Sequence, residues 1–271
     1  MRFLVLVAAV CVVAPAADNT LTPAEERAGF RLLFDGHTMR GWRDPASEKP
    51  PGDSWVIEDG CLKTRPEPRI SEDLITQDSF GDFELKFDWR ISARGNTGVK
   101  YRIQRIIFFD NTKVDRRSGG FEAMLERELT APRSDRAKMA PEATAQEYTV
   151  SYEFQLIDDA SYPEMNKGDL LHATGALYSM IPPRKMAARP AGEWNQSRLV
   201  VKGDHFEHWI NGVQVLDGSL DSDEARAGTS KRWAAAPTVR DILLNAKPSG
   251  SLSLQHHGAA VWFKNLKIRK L

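Results

Sequence analysis

The chain lacks several features that would assign a protein class directly. Its 271 residues include 37 basic and 37 acidic side chains, and the basic residues are scattered, which argues against a nucleic-acid surface. It has two cysteines, Cys11 and Cys61, too few for a disulfide framework. A Gly-rich dinucleotide fingerprint is also missing, which argues against a nucleotide cofactor.

Long apolar runs are scarce as well, and the longest lies at the N-terminus. Arg2 precedes an apolar stretch from Phe3 to Val13, and Ala14-Pro15-Ala16 offers small residues before a cleavage point near Ala17. The stretch is too short to span a bilayer, and no other segment approaches the required length.

An N-terminal segment of this kind is typical of a signal peptide. We therefore expect residues 1–16 to be removed and residues 17–271 to be exported to the periplasm or secreted. Lipid attachment through Cys11 is the less favoured alternative, because Val10 is bulkier than the residue that normally precedes a lipid-bearing cysteine.

Most of the remaining chain has the alternation of half-buried strands. Tyr152, Phe154 and Leu156 share one face of a strand, and Glu153 and Gln155 share the other. Similar strands follow one another, separated by turns such as Asn211-Gly212, and long helices are not predicted between them. This pattern indicates one all-β sandwich domain.

Local signals add detail to this prediction. Residues 21–30 have the pattern of a capped helical turn, with Thr22 as the N-cap. Gly203-Asp204 predicts a hairpin turn. In the last strand the apolar parity switches between Phe263 and Leu266, which predicts a bulge near Asn265.

The strand pattern is interrupted between about Arg105 and Tyr148. This stretch is rich in charged residues, and its segment from Phe121 to Leu129 has the composition of a helix. An insertion of this length predicts a functional lid or a small subdomain, with a disordered polar insertion as the alternative. We expect it to overhang the face that carries the polar side chains.

Five polar residues on three predicted strands share that face, opposite the apolar rows. If the strands belong to one sheet, these side chains converge and form a site. The alternative is a solvated strand face, which is common in antiparallel sheets. The five residues are Arg102, Glu153, Gln155, Gln255 and His257.

Several motifs, taken in order, resemble the 3-keto-disaccharide hydrolase family from about Phe30 to the C-terminus. They are Leu33-Phe34-Asp35-Gly36, Phe80-Gly81-Asp82-Phe83, Gly95-Asn96-Thr97-Gly98-Val99, Tyr152-Glu153-Phe154-Gln155, Thr174-Gly175-Ala176-Leu177-Tyr178, Gly192-Glu193-Trp194-Asn195, His208-Trp209-Ile210-Asn211-Gly212 and Leu254-Gln255-His256-His257-Gly258. The resemblance implies a concanavalin-like jelly roll that acts on 3-keto-glycosides. A 3-keto substrate in turn requires a separate oxidoreductase that makes it, since this chain has no dinucleotide-binding glycine fingerprint.

A 3-keto sugar sets the chemistry that such a site must perform. The ketone acidifies the C2 hydrogen, so a base can remove it and the C1 substituent can then leave. The roles matched to this chemistry are a base or metal-holding pair, an oxyanion stabiliser, a leaving-group acid and substrate contacts. Glu153 and His257 are assigned as the base or metal-holding pair, Arg102 as the oxyanion stabiliser and Tyr178 as the leaving-group acid. The substrate contacts are Gln155, Gln255, Asp158, Lys100 and Asn96.

Two other functions stay open at this point. A jelly roll can be a non-catalytic carbohydrate-binding module. A retaining glycosidase of the laminarinase type needs two carboxyl groups in close alternation, but the corresponding positions here are Glu153, Gln155 and Asp158. A divalent cation, held by Glu153 and His257, could assist the elimination by chelating the enediolate.

Overall fold

A computed structural model describes residues 17–45, 54–66, 68, 70–110, 120–130, 145–162 and 168–271. The predicted signal peptide, residues 1–16, lies outside the described residues. The strands are β1 (Arg31–Leu32), β2 (Trp42–Arg43), β3 (Trp55–Glu58), β4 (Cys61–Thr64), β5 (Ile70–Ser71), β6 (Leu74–Phe80), β7 (Phe83–Ile91), β8 (Asn96–Asp110), β9 (Ala145–Ile157), β10 (Asn195–Lys202), β11 (His205–Ile210), β12 (Val213–Ser219), β13 (Gly250–Leu254) and β14 (Val261–Lys270).

These strands form two sheets. The larger has the order β12-β11-β10-β7-β14-β4-β3, with β1 on β14, and the smaller has the order β2-β6-β13-β8-β9-β5. The pairs are antiparallel except β5 with β9. The predicted all-β sandwich is confirmed.

The core lies between the two sheets and is built from the predicted apolar rows. Phe87 of the larger sheet contacts Phe154 of the smaller sheet edge to face, with ring centroids 6.1 Å apart. Tyr101, Tyr152 and Leu156 are buried in the same layer. Because strand side chains alternate, burying this row leaves Glu153 and Gln155 on the opposite face of β9.

Three local predictions are confirmed. The first helix, α1 (Pro23–Arg27), has Thr22 and Glu25 in a reciprocal capping box. Strands β10 and β11 form the hairpin around Gly203-Asp204. The register of β14 against β7 shifts between Lys264 and Lys267, and Asn265 has a φ of 54°, as a bulge requires.

Residues 223–244 differ from the predicted series of strands separated by turns. Two helices lie there, α3 (Asp223–Arg232) and α4 (Pro237–Leu244). Their local signals are ordinary, because Ser222 caps α3 and Pro237 occupies the first turn of α4. Among the described residues, no helix is long and apolar enough to cross a membrane.

The stretch from Arg105 to Tyr148 also differs from its prediction. Strand β8 continues to Asp110 and β9 begins at Ala145, so strand pairing extends into both ends of it. Between them, α2 (Gly120–Thr130) covers the predicted helix. The strand pattern was missed because β8 contains a bulge, where alternation breaks and the parity of the sequence no longer identifies a face.

Candidate active site

A cavity of about 430 Å³ lies on the face of the smaller sheet that bears Glu153. Strands β8 and β9 and the segment after β13 contribute to it, and so do α2, the last residue of α3 and a loop residue. Its lining consists of Asn96, Phe121, Glu122, Gln146, Tyr148, Glu153, Gln155, Tyr178, Arg232, Gln255 and His257. Two strands and the segment after a third thus supply polar side chains to one cavity.

Six of the predicted site residues share this cavity. Glu153, Gln155, Gln255 and His257 come from the predicted polar face, and Asn96 and Tyr178 join them. Their catalytic and binding roles remain predictions.

Arg102 does not reach the cavity, which corrects the parity argument. It has a φ of 53° at the bulge in β8, where the register against β9 shifts between Tyr101 and Arg105. Its guanidinium instead lies 2.8 Å from the Asp204 carboxylate and donates to the Gly203 carbonyl oxygen. A bulge redirects the side chain that it carries, so strict alternation failed here.

Lys100 and Asp158 do not line the cavity either. The Lys100 ammonium is 2 % exposed and forms an ion pair with Asp73 at 2.8 Å, so it is a buried charge rather than a contact at the rim. The Asp158 carboxylate accepts hydrogen bonds from the Arg94 amide at 2.8 Å and from the Ser161 hydroxyl at 2.5 Å. With Asp158 engaged there, Glu153 has no second carboxylate beside it from this strand, which disfavours the retaining-glycosidase alternative.

Glu153 has the electrostatic properties of a base. Its side chain is 7 % exposed, and burial raises the pKa of its carboxyl to about 7, against the lowering effect of the nearby Lys100 charge. The negative charge of Asp73 raises this pKa further, because it repels the ionised Glu153 carboxylate. A carboxyl with such a pKa is partly ionised at neutral pH and gains proton affinity, as a general base needs.

Proton donors line the same cavity. Burial raises the pKa of Tyr178 to about 12 and raises that of Tyr148 well above its usual range, so both phenols keep their protons. Burial lowers the pKa of Arg232 to about 10, which leaves this guanidinium charged at neutral pH. His257 opens to the cavity, and desolvation by the surrounding protein lowers its pKa, which favours the neutral imidazole.

Five lining residues were not predicted from the sequence. For only one of them does the neighbouring sequence contain a pattern that could have indicated its position. Tyr148 has the parity of buried Tyr152, so alternation assigns it to the wrong face. Arg232 ends a helix far along the chain, and nothing near it in sequence indicates the site. The other three are Phe121, Glu122 and Gln146, of which Phe121 lies at the start of the segment predicted to be helical.

The cavity also contains hydrogen-bond acceptors that the protein does not satisfy. The side-chain carbonyl oxygens of Gln155 and Gln255 are buried and have no hydrogen-bond partner among the described residues. The Gln155 amide nitrogen donates to Asn96 Oδ1 at 3.2 Å, which orients the Gln155 carbonyl oxygen. Unsatisfied buried acceptors are costly, and a ligand hydroxyl is the kind of group that would satisfy them.

Glu153 and His257 fit a divalent ion poorly. Protein metal sites generally use three or more ligands, and no third carboxylate, histidine or cysteine joins this pair within the described part of the chain. Three buried carboxylates that could hold a metal ion lie elsewhere, with ligand atoms within 4.8 Å of one another. They belong to Asp44, Glu72 and Glu147.

The fold and the cavity define a β-sandwich protein with a polar site on one sheet, and comparisons identify its family. Residues 29–269 match the 3-keto-alpha-glucoside-1,2-lyase-like domain. The chain belongs to this family, as its motifs predicted.

Similar proteins agree with this assignment. A 3-keto-disaccharide hydrolase of Bacteroides thetaiotaomicron is 27 % identical over 256 residues, which cover 90 % of this chain and 79 % of that protein. A crystal structure of a candidate glycosyl hydrolase from Parabacteroides distasonis has a TM-score of 0.68 and 28 % identity, and the match covers 94 % of this chain and all of that one. A second such structure from the same organism, with a TM-score of 0.58 and 19 % identity, covers 89 % of this chain and 99 % of that one and supports the fold.

Proposed function

We propose that this protein is an enzyme that cleaves 3-keto-glycosides, by elimination across C1 and C2 followed by addition of water. The observation that carries the proposal is the pairing, in one cavity, of a carboxyl whose pKa is raised to about 7 with a charged guanidinium and two protonated phenols. Family membership and the name of the Bacteroides relative support the same substrate class.

The first step is removal of the C2 proton. The Glu153 carboxylate takes this proton, and the electron pair of the C2–H bond forms the C2–C3 double bond while the ketone oxygen becomes an enediolate oxyanion. We assign the stabilising role that the sequence had suggested for Arg102 to Arg232, a guanidinium in the cavity lining. Its Nη1 forms an ion pair with Glu122 of the same lining, which holds the guanidinium at the cavity.

The second step expels the aglycone. The oxyanion reforms the C3 ketone, the C1–C2 double bond forms, and the C1–O bond breaks. Tyr178 donates a proton to the departing oxygen, and its backbone amide bonds to the Glu153 carbonyl oxygen at 3.0 Å, which keeps acid and base adjacent. Water then adds: its hydroxyl bonds to C1 as Tyr178 takes a proton back from it, and Glu153 returns its proton to C2, so the net reaction is hydrolysis.

Substrate hydroxyls are expected to bind the sheet side of the cavity. Gln155 and Gln255 present unsatisfied carbonyl oxygens there, and hydroxyl groups are suitable donors to them. Arg232 and the two tyrosines then face the ketone side of the sugar. This arrangement orients the C2 hydrogen toward Glu153.

Release of aglycone from a panel of α- and β-linked 3-keto-glucosides tests the proposal. The wild type should release aglycone, whereas Glu153→Gln should bind the same sugars without turnover, because an amide keeps hydrogen bonds but cannot accept the proton. Binding by both proteins without any release would instead indicate a carbohydrate-binding module.

The biological setting is part of the proposal. A separate oxidoreductase that oxidises C3 of the sugar must supply the substrate, since the motif of a dinucleotide-binding fold is absent from this chain. Export after removal of residues 1–16 is proposed from the N-terminal apolar stretch. N-terminal sequencing of the secreted protein should find a start near Ala17, and retention of Met1 in a soluble cytoplasmic product would contradict export.

A further inference from the structure

Gly98 of β8 lies between Gln155 and Gln255, two residues that line the cavity. It pairs with Gln155 of β9, and its carbonyl oxygen accepts the Gln255 backbone amide at 2.9 Å on the other side. It is therefore the bare position between the two glutamines whose carbonyl oxygens lack partners. A glycine inside a strand weakens the strand and often marks a close approach by another group.

The group that approaches Gly98 is the Glu153 side chain. A β-carbon built on Gly98 would lie 2.3 Å from Glu153 Oε1 and 2.7 Å from both Cδ and Cγ. Gly98 does not have the positive φ that favours glycine elsewhere in the chain. Space for Glu153, and not backbone conformation, is therefore what the missing side chain provides.

The hydrogen bonding of Glu153 shows why such packing matters. Within the described residues, no donor bonds to the Glu153 carboxylate, and Lys100, the cation paired with it across β8 and β9, is bonded to Asp73. A base that must accept a proton benefits from this freedom, because donors to its carboxylate would lower its proton affinity. Its position must then be set by contact with its surroundings.

We propose that Gly98 is a positioning residue for Glu153. Because residue 98 has no side chain, the Glu153 side chain packs against the backbone of β8, in the position from which its carboxylate reaches the bound sugar. This inference rests on the proposed function for its catalytic consequence. Any β-carbon at position 98 would overlap the Glu153 side chain and so displace its carboxylate. Displacement of a reacting group by about 1 Å can cost about 10²-fold in rate.

Gly98→Ala tests the inference, with Gly81→Ala as the matched control. Gly81 also lacks a positive φ, and a β-carbon there meets its nearest atoms at 3.7 and 3.8 Å, which is ordinary contact. Gly98→Ala should lower kcat by about 10²-fold with a smaller change in KM, and Gly81→Ala should change neither. The acid limb of the pH profile should also move to lower pH, because the displaced carboxyl is better solvated.

A shorter side chain at position 153 provides a rescue. Glu153→Asp withdraws the carboxylate by one methylene, so Gly98→Ala should harm this variant less than it harms the wild type. The double-mutant cycle should therefore show a favourable interaction between the two changes. Additive losses would overturn the inference.

Two measurements keep the test independent of folding and of the proposed reaction. In a Glu153→Ala background the clash is absent, so Gly98→Ala should leave Tm unchanged; a loss of stability there would overturn the inference. Carboxyl ¹³C NMR titration of Glu153 should show a lower pKa in Gly98→Ala than in the wild type, even if no 3-keto sugar is cleaved. An unchanged pKa would overturn the positioning role, whereas a lowered pKa without turnover would overturn only the proposed function.

Discussion

The imidazole ring of His208 lies flat against the phenyl ring of Phe154, with centroids 4.0 Å apart and planes 3° apart. Its Nδ1 donates to the Gly175 carbonyl oxygen at 3.0 Å, and the Gly175 amide in turn donates to the backbone carbonyl oxygen of Gln155 at 2.9 Å. Phe154 lies between two cavity residues on β9. His208, from the other sheet, therefore supports the back of the candidate site.

Acid is expected to destabilise the protein through His208. Burial lowers its pKa to about 3, whereas an imidazole in the unfolded chain titrates near about 6.5. Between these two pKa values the unfolded state binds a proton that the folded state does not. The contribution of neutral His208 to stability is therefore complete above the unfolded pKa and is lost as the pH falls toward the folded pKa. The Tm of the wild type should fall more steeply over this window than that of His208→Gln; parallel curves would contradict the prediction.

The pH dependence of activity should report Glu153. Because its folded pKa is about 7, kcat/KM should rise with pH through this value as the base ionises. Replacement by aspartate should move this limb, since the shorter side chain changes the burial of the carboxyl. A limb near the ordinary carboxyl pKa of about 4.3 would show that Glu153 is not the group whose ionisation limits the rate.

The same carboxyl should lower the stability of the wild type in alkali. Its pKa is raised on folding, so the native state binds the proton between the unfolded and folded values, and this contribution is lost as the pH rises through about 7. Glu153→Gln removes the penalty for a buried charge. Chemical denaturation should show that the free energy of unfolding of the variant, relative to that of the wild type, rises by on the order of 3 kcal/mol between acidic and mildly alkaline pH. A difference that does not change with pH would refute this.

Arg232 and Arg102 should behave differently when each is replaced by glutamine. Arg232 lines the cavity, so Arg232→Gln should lower kcat by roughly 10²–10³-fold, as for loss of an oxyanion donor. Arg102 lies in an ion pair with Asp204 outside the cavity, so Arg102→Gln should lower Tm and leave kcat near that of the wild type. Steady-state kinetics and thermal unfolding of both variants decide this, and the reverse ranking would restore the original assignment of Arg102.

The attachment of α2 should affect substrate binding. The Glu126 carboxylate accepts the Thr238 and Val239 amides at the start of α4, where Ala236 has no capping side chain. Glu126→Ala should cost about 1 kcal/mol, as for loss of a cap, and should raise KM because Phe121 and Glu122 of the same helix line the cavity.

Glu128→Ala is the control for this variant. The substitution removes a carboxylate from the same helix, and among the described residues the Glu128 carboxylate accepts no hydrogen bond from α4. Equal KM values for both variants would argue that α2 has no part in binding.

Much of the sandwich and part of the site could be predicted because they depend on short-range patterns. The alternation of Tyr152 to Leu156 placed Glu153 and Gln155 correctly, and the parity switch near Asn265 identified one bulge. The bulge at Arg102 escaped notice, because the polar residue there happened to continue the alternation. The two helices after residue 222 were missed because turn-separated strands dominated the surrounding pattern.

The sequence by itself determined the fold family and the face of β9 on which Glu153 and Gln155 lie, since strand geometry converts spacing into direction. Only the tertiary structure decided which distant groups meet them. Arg232 reaches the cavity from the end of α3, and Tyr148 reaches it against its parity, because bulges and helix packing depend on contacts between residues far apart in the chain. The position of Glu153 over Gly98 is of this second kind, since it requires two strands to be in register.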